Sequence, residues 1–380
     1  MRKFLNIVVI FILCAALIET VTRGFFAWRV GPNVFAYGTP FYVDPYRAAD
    51  EIRTVQMHDN ELSGYSKYLA GQVRYDVDPV TKERFQVIIN NFGFRGRNFE
   101  IAKKPNVIRI VTLGASSTFG YYSREDFTYP MQLEGILNNS AAQEFEVINL
   151  GIPHLTAEQI AALFEAEAIP LNPDVVTFYE GNNDSARLWE FINDDLQPSL
   201  LDSTREFFGG YSVFVAMLNS IILEKEMSPQ NLDLELGPAA LEVSERFLQA
   251  LEVIAAECEQ RGILFVVSNQ QKRSDMFDRE KFAGITMQDE LKLIQSRASE
   301  GLPLTRKERH FYVQMILMQE LKNWADDADL PFVDVIKAMD QERDNLLTHV
   351  HLSQRGNKIV AQKLSEAILA NLNVSQDDKN

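Results

Sequence analysis

The sequence predicts an α/β fold in which a parallel sheet is covered by helices on both faces. Three observations point there. From residue 107 onward, short β-branched runs alternate with longer stretches of helical periodicity. The first run, Val107-Ile108-Arg109-Ile110-Val111-Thr112-Leu113, has the character of a strand buried on both faces. That run ends in Gly114-Ala115-Ser116-Ser117-Thr118-Phe119-Gly120, a small, glycine-flanked turn. Open α/β sheets place their sites at the carboxyl edge where such turns lie, so the Ser116 hydroxyl is expected there. A Ser/Thr-rich turn that merely caps a helix reads the same way.

Taken in order, the chain begins with Arg2 and Lys3 before an apolar run from Phe4 to about Ile18, interrupted only by Asn6. Leu17 to Arg23 offers no small-x-small cleavage site, and Leu13 precedes Cys14 where a lipoprotein signal needs a small residue. The expectation is an uncleaved, single-pass membrane anchor. The basic N-terminal flank slightly outweighs Arg23 and Arg29, which places the main domain on the extracytoplasmic side, periplasmic or at the cell surface. Residues 31–106 are rich in aromatics and turns, with Gly93 and Gly96 marking one turn, and read as a lead-in that packs on the core.

Strands are expected at 107–113, 145–150, 174–180, 263–268 and 331–335, and helices at 129–138, 156–168, 239–261, 306–328 and 354–372. Two stretches break the rhythm. Residues 185–238 hold an apolar segment, Tyr211 to Leu223, and residues 271–305 are charged and helix-prone. Both read as surface insertions near the substrate edge. The apolar segment would pack on the sheet, act as a lid or rest on a membrane. The domain scheme is therefore an anchor at 1–30, a lead-in at 31–106, a main domain at 107–374 with those two insertions, and a disordered tail at 375–380.

Composition narrows the partners. Among 380 residues, 46% are hydrophobic and 24% charged, an ordinary globular balance. Lys and Arg total 37 against 53 Asp and Glu, a net charge of −16. That excess disfavours nucleic acid and anionic membrane surfaces, which both require basic patches. The two cysteines, Cys14 in the apolar run and Cys258 in a helical stretch, suggest neither a disulfide nor a metal site. A phosphate-binding module is set aside, because neither the Lys-Ser/Thr pair of a P-loop nor a G-x-G-x-x-G fingerprint is found.

Three more motifs fall at strand ends or before the last helix: Asn149-Leu150-Gly151, Gly181-Asn182-Asn183-Asp184 and His349-Val350-His351-Leu352. Singly, each has a plain reading. Gly151 is a tight turn, Asn183 and Asp184 cap a helix, and His351 lies satisfied on a helix surface. Together with Gly114-Ala115-Ser116 they resemble, in order, the four blocks of the SGNH hydrolases, also called GDSL esterases and lipases. The resemblance covers about residues 107 to 372. Residues 91–96 and the N-terminal anchor are similar to those of bacterial membrane-tethered members.

The resemblance implies a flavodoxin-like three-layer α/β/α sandwich with a mainly parallel five-stranded sheet. It also implies an acyl-enzyme mechanism without metal or organic cofactor. Ser116 would be the nucleophile and His351 its base, since a hydroxyl attacks well only as its proton leaves. The N–H groups of Ser116 and Gly151 and the amide of Asn183 would hold the oxyanion. An ester-bearing small molecule, O-acylated glycan or lipid would be the substrate, with water or a sugar hydroxyl as acceptor. His349 competes with His351 for the base role, and His154 is read as a pocket or surface residue. The family's usual aspartate, three residues before the histidine, is Thr348 here, and Ala115 replaces the aspartate of the first block. Three accounts of Thr348 stay open: a hydroxyl or carbonyl orients His351, Asp344 or another acid reaches in, or the domain is degenerate and binds an acylated glycan or a partner protein.

Overall fold

The computed structural model describes residues 2–30, 32–39, 54–57, 64–187, 207–218, 232–274, 276–302 and 304–372. The chain forms two compact units. One comprises Met1–Glu51 with Asn193–Ser228, the other Ile52–Ile192 with Pro229–Asn380. The expected tail at 375–380 and residues 219–223 of the apolar segment lie outside the described residues.

In the first unit the apolar N-terminal run continues well past Ile18 as one helix, α1 (Arg2–Val30). Its stretch Leu5–Trp28 is long and apolar enough to cross a membrane. The described part of the apolar segment, 211–218, packs with α1 in this unit, where sheet packing was expected, because Glu19 of α1 accepts its backbone N–H groups.

The second unit begins with four short strands where no periodicity was evident: β1 (Thr54–Met57), β2 (Tyr65–Tyr68), β3 (Val73–Val77) and β4 (Arg84–Ile88). They pair antiparallel, β1 with β2 and β3 with β4. Five parallel strands then follow within a residue or two of the expected ranges, except that the last is shorter: β5 (Val107–Gly114), β6 (Glu144–Asn149), β7 (Val175–Tyr179), β8 (Leu264–Ser268) and β9 (Phe332–Val333). Their order is β6-β5-β7-β8-β9, which is the flavodoxin-like 2-1-3-4-5 arrangement when the five are counted from β5.

The helices of this unit are α2 (Ser116–Phe119), α3 (Tyr129–Ser140), α4 (Ala157–Leu163), α5 (Asn182–Ala186), α6 (Leu232–Arg261), α7 (Met287–Ser299), α8 (Arg306–Asp327), α9 (Val335–Met339) and α10 (Gln354–Asn371). Alternate residues of β5 feed two cores. Val111 and Leu113 face a cluster with Ile160 of α4, Phe247 of α6 and Leu317 of α8. Ile110 faces the other, with Leu133 of α3 and Val360 of α10. This alternation produces a three-layer sandwich.

Two buried arginines bind the lead-in to the sheet. Arg109, the charge inside β5, pairs with Glu146 at 2.7 Å and donates to the carbonyls of Glu100, Ile101 and Leu171. Arg95, from the turn-rich 91–96 segment, pairs with Glu125 and donates to the carbonyls of Phe119, Gly120 and Ser123. Buried charge is tolerated when it is paired and hydrogen-bonded in this way. Arg95 thereby fixes the chain that follows Ser116.

Candidate active site

The parallel register sets three strand ends side by side. Thr112 is opposite Asn149, and Gly114 is opposite Tyr179, so the Ser116, Gly151 and Gly181 turns leave adjacent strands at the same edge. Gly114 has φ of +156°, and an added Cβ would lie 2.1 Å from Thr118 Oγ1 and 2.6 Å from the Tyr179 carbonyl. The tight exit from β5 therefore needs glycine. Ser116 opens α2, half-buried among buried neighbours. Its N–H is one of the first-turn amides that a helix cannot satisfy internally.

Ser116 Oγ lies 2.9 Å from His351 Nε2, and His351 Nδ1 lies 2.8 Å from Thr348 Oγ1. His351 sits in the loop before α10, whose N-cap is Ser353. Thr348 Oγ1 also accepts the backbone N–H groups of His351, at 3.1 Å, and Val350, at 3.4 Å. Of the three accounts of position 348, hydroxyl contact is the one the geometry displays. Among the described residues no carboxylate is bonded to His351, and Asp344 instead lines a neighbouring cleft.

This partner differs chemically from an aspartate. A carboxylate only accepts, so it holds a proton on Nδ1 and leaves Nε2 free to take one. A hydroxyl can accept or donate, and when it donates, Nε2 carries the proton and cannot act as base. Nor does a hydroxyl balance an imidazolium. Burial, with His349 and His154 nearby, pushes the His351 pKa down to about 3. The rings of Tyr121 and Tyr122 meet His351 edge-on at 5.4 Å and 5.3 Å. Sequence reasoning missed both tyrosines; their only signal was adjacency to Gly120. The competing His349 ring is 6.3 Å from that of His351, and His154 is exposed with φ of +71°.

The N–H of Gly151, expected as an oxyanion donor, donates to Asn149 Oδ1 at 2.9 Å. Asn149 in turn donates to the Thr118 carbonyl, so this side chain clamps the turn after β6 against α2. Packing against α2 requires glycine at this position: an added Cβ would lie 2.4 Å from the Phe119 nitrogen and 2.7 Å from the Thr118 carbonyl carbon. Gly151→Ala must displace the backbone of α2. We expect about 1–3 kcal/mol of destabilisation, read by thermal unfolding.

Asn183 Nδ2 donates to the Leu155 carbonyl at 2.8 Å, leaving its second N–H for another acceptor. Asp184 caps α4 instead of its own helix, accepting from the Ala157 N–H at 3.1 Å and 3.2 Å. The blocks at 151–157 and 181–184 are thus drawn together. Beneath them lies a buried polar network that the sequence did not reveal. Glu180 accepts the Asn183 N–H at 2.9 Å, and Lys272 Nζ donates to Ser185 Oγ at 3.1 Å. Burial raises the pKa values of Glu180 and Asp184 and lowers that of Lys272, with the Glu180–Lys272 attraction opposing burial at both partners. Among the described residues no cluster of His, Cys, Asp or Glu suits a metal ion.

No protein-family model and no curated protein matches this chain. Solved structures do. A member of the lipolytic protein G-D-S-L family from Veillonella parvula is 12% identical with a TM-score of 0.40, covering 70% of this chain and 100% of that one. The lipase/acylhydrolase from Enterococcus faecalis is 17% identical with a TM-score of 0.39, covering 71% and 100%. A lipase from a goat rumen metagenome is 15% identical with a TM-score of 0.41, covering 68% and 97%. At these values the likenesses concern architecture, and any functional reading must rest on the Ser116–His351 geometry.

Proposed function

We propose that this chain is a membrane-anchored serine esterase of SGNH type, retaining α1 as its anchor and acting on an O-acylated glycan or lipid ester outside the cytoplasm. The observation that carries the reading is the 2.9 Å contact between Ser116 Oγ and His351 Nε2 at the carboxyl edge of the sheet. Ser116 Oγ attacks the ester carbonyl as its proton passes to Nε2. The Ser116 N–H and the second N–H of Asn183 receive the oxyanion, and Gly151 joins them only by sharing the N–H held by Asn149. Collapse of the intermediate expels the alcohol with the proton from Nε2. Water, or a sugar hydroxyl in the acyl-transfer variant, then attacks the acyl-enzyme by the same proton route.

A cleft of about 710 Å³ lined by Tyr122, Arg124, Phe127 and Arg355 adjoins the His351 ring through Tyr122, with room for the alcohol part of a bulky ester. The degenerate reading rests on one observation, the hydroxyl in place of a carboxylate at 348.

The pH profile tests the site. The active form of the base is neutral imidazole, so activity is lost only as pH falls through its pKa. With that pKa lowered to about 3, about 99% of His351 is neutral at pH 5, against about 3% for an ordinary histidine. Hydrolysis of p-nitrophenyl acetate, corrected for the Ser116→Ala background, should have a level kcat/KM between pH 5 and pH 7.5. A fall with an apparent pKa near 6.5 would contradict the environment described for His351.

A further inference from the structure

Within α1, Glu19 and Arg23 are the charged residues of the apolar span Leu5–Trp28. They form an ion pair at 2.7 Å, and each is directed at the backbone of other segments of the same unit. Arg23 donates to the carbonyls of Val34, Phe35 and Tyr37, and to that of Tyr211, at 2.9–3.1 Å. Glu19 accepts from the Ser212 hydroxyl at 2.6 Å and from the N–H groups of Val213 and Phe214 at 2.9 Å and 3.2 Å. It therefore caps the short helical stretch 213–218. Tyr37 adds a bond from its hydroxyl to the Gly209 carbonyl at 2.7 Å.

We infer that residues 207–218 are a second membrane element, seated with the outer end of α1 at the boundary between lipid headgroups and acyl chains. The inference rests on α1 being a retained anchor. Counting about 1.5 Å per residue from Leu5, Glu19 stands about 21 Å and Arg23 about 27 Å along a hydrocarbon core of about 30 Å. Irregular backbone survives at that depth only when protein groups satisfy its N–H and C=O groups. Glu19 and Arg23 do this for the segments they bind. What the unit leaves exposed suits lipid: Phe207, Phe208 and Tyr211 on the docked segment, with Phe25, Trp28 and Phe35 beside or beyond the end of the span. Aromatic side chains favour that interface. The occupant of this surface is zwitterionic lipid, since a chain of net charge −16 gains nothing from anionic headgroups.

Depth-dependent quenching tests this on the full chain in phosphatidylcholine vesicles with brominated acyl chains. One variant keeps Trp28 alone, with Trp189 and Trp324 changed to Phe; the other carries Phe208→Trp with all three native tryptophans changed to Phe. Quenching of the indole at position 208 comparable to that of Trp28 is expected. Trp28 quenched while the indole at position 208 stays unquenched would overturn the inference, whether that indole is open to acrylamide or shielded by protein. Loss of quenching at Trp28 itself would instead overturn the anchor reading, and the inference with it. Adding Glu19→Ala and Arg23→Ala should release position 208 from lipid while Trp28 stays quenched; undiminished quenching at position 208 would contradict the docking role of this pair.

Discussion

Ser116→Ala should lower ester turnover by at least about 10²-fold while leaving the fold intact. In serine triads, losing the nucleophile costs about 10⁶ in kcat and losing the acid alone about 10⁴. These groups act as a unit, so a site that lacks its acid retains about 10² of the advantage for the nucleophile to supply. The size of the loss therefore measures how far Thr348 does the acid's work: near 10² if its hydroxyl is only a spacer, approaching 10⁶ if it holds His351 in the productive tautomer. Ser116 is half-buried and its hydroxyl is bonded to His351, so unfolding should shift by no more than about 1 kcal/mol. Turnover that survives the substitution would remove Ser116 from the mechanism.

Thr348→Asp should raise kcat by about 10²-fold or more, since it supplies an acceptor-only partner to Nδ1 and a charge to balance the imidazolium. Aspartate also suits the local backbone, because its carboxylate can accept the N–H groups of Val350 and His351 that the threonine hydroxyl now accepts. The new carboxylate would raise the His351 pKa from about 3. Activity in this variant should then be present at neutral pH and lost as pH falls through the raised value, an acid limb at higher pH than the parent's, which lies near 3. Thr348→Val, which removes the partner of Nδ1, should lower kcat further. Equal rates for the parent and both variants would show that His351 is oriented by its packing against Tyr121 and Tyr122, and not by position 348.

The central sheet was legible because parallel strands buried on both faces write themselves as continuous apolar runs, as Val107 to Leu113 and Val175 to Tyr179 do. Ser116 and His351 were legible as members of ordered blocks, although 235 residues separate them. The β3–β4 pair was not. In β3 the alternation is inverted: Val73, Tyr75 and Val77 are exposed, whereas Arg74 and Asp76 are more covered and pair with each other. A pattern argument that assigns apolar residues inward fails there. The engagement of Gly151 by Asn149 was equally hidden, because both lie in one motif and nothing in their spacing says that the side chain turns back onto the glycine N–H. The roles of Glu19 and Arg23 were hidden as well: both lie beyond the apolar run read to Ile18, and their partners at 34–37 and 211–214 are brought to them only by the fold.

The most direct test of an activated nucleophile is labelling of the full-length, detergent-solubilised chain with a fluorophosphonate, with the adduct located by peptide mass spectrometry and its rate compared with that of His351→Ala. The account predicts a single adduct on Ser116 whose formation collapses without His351. A folded protein that takes no label, or one labelled at Ser116 equally fast without His351, would contradict it.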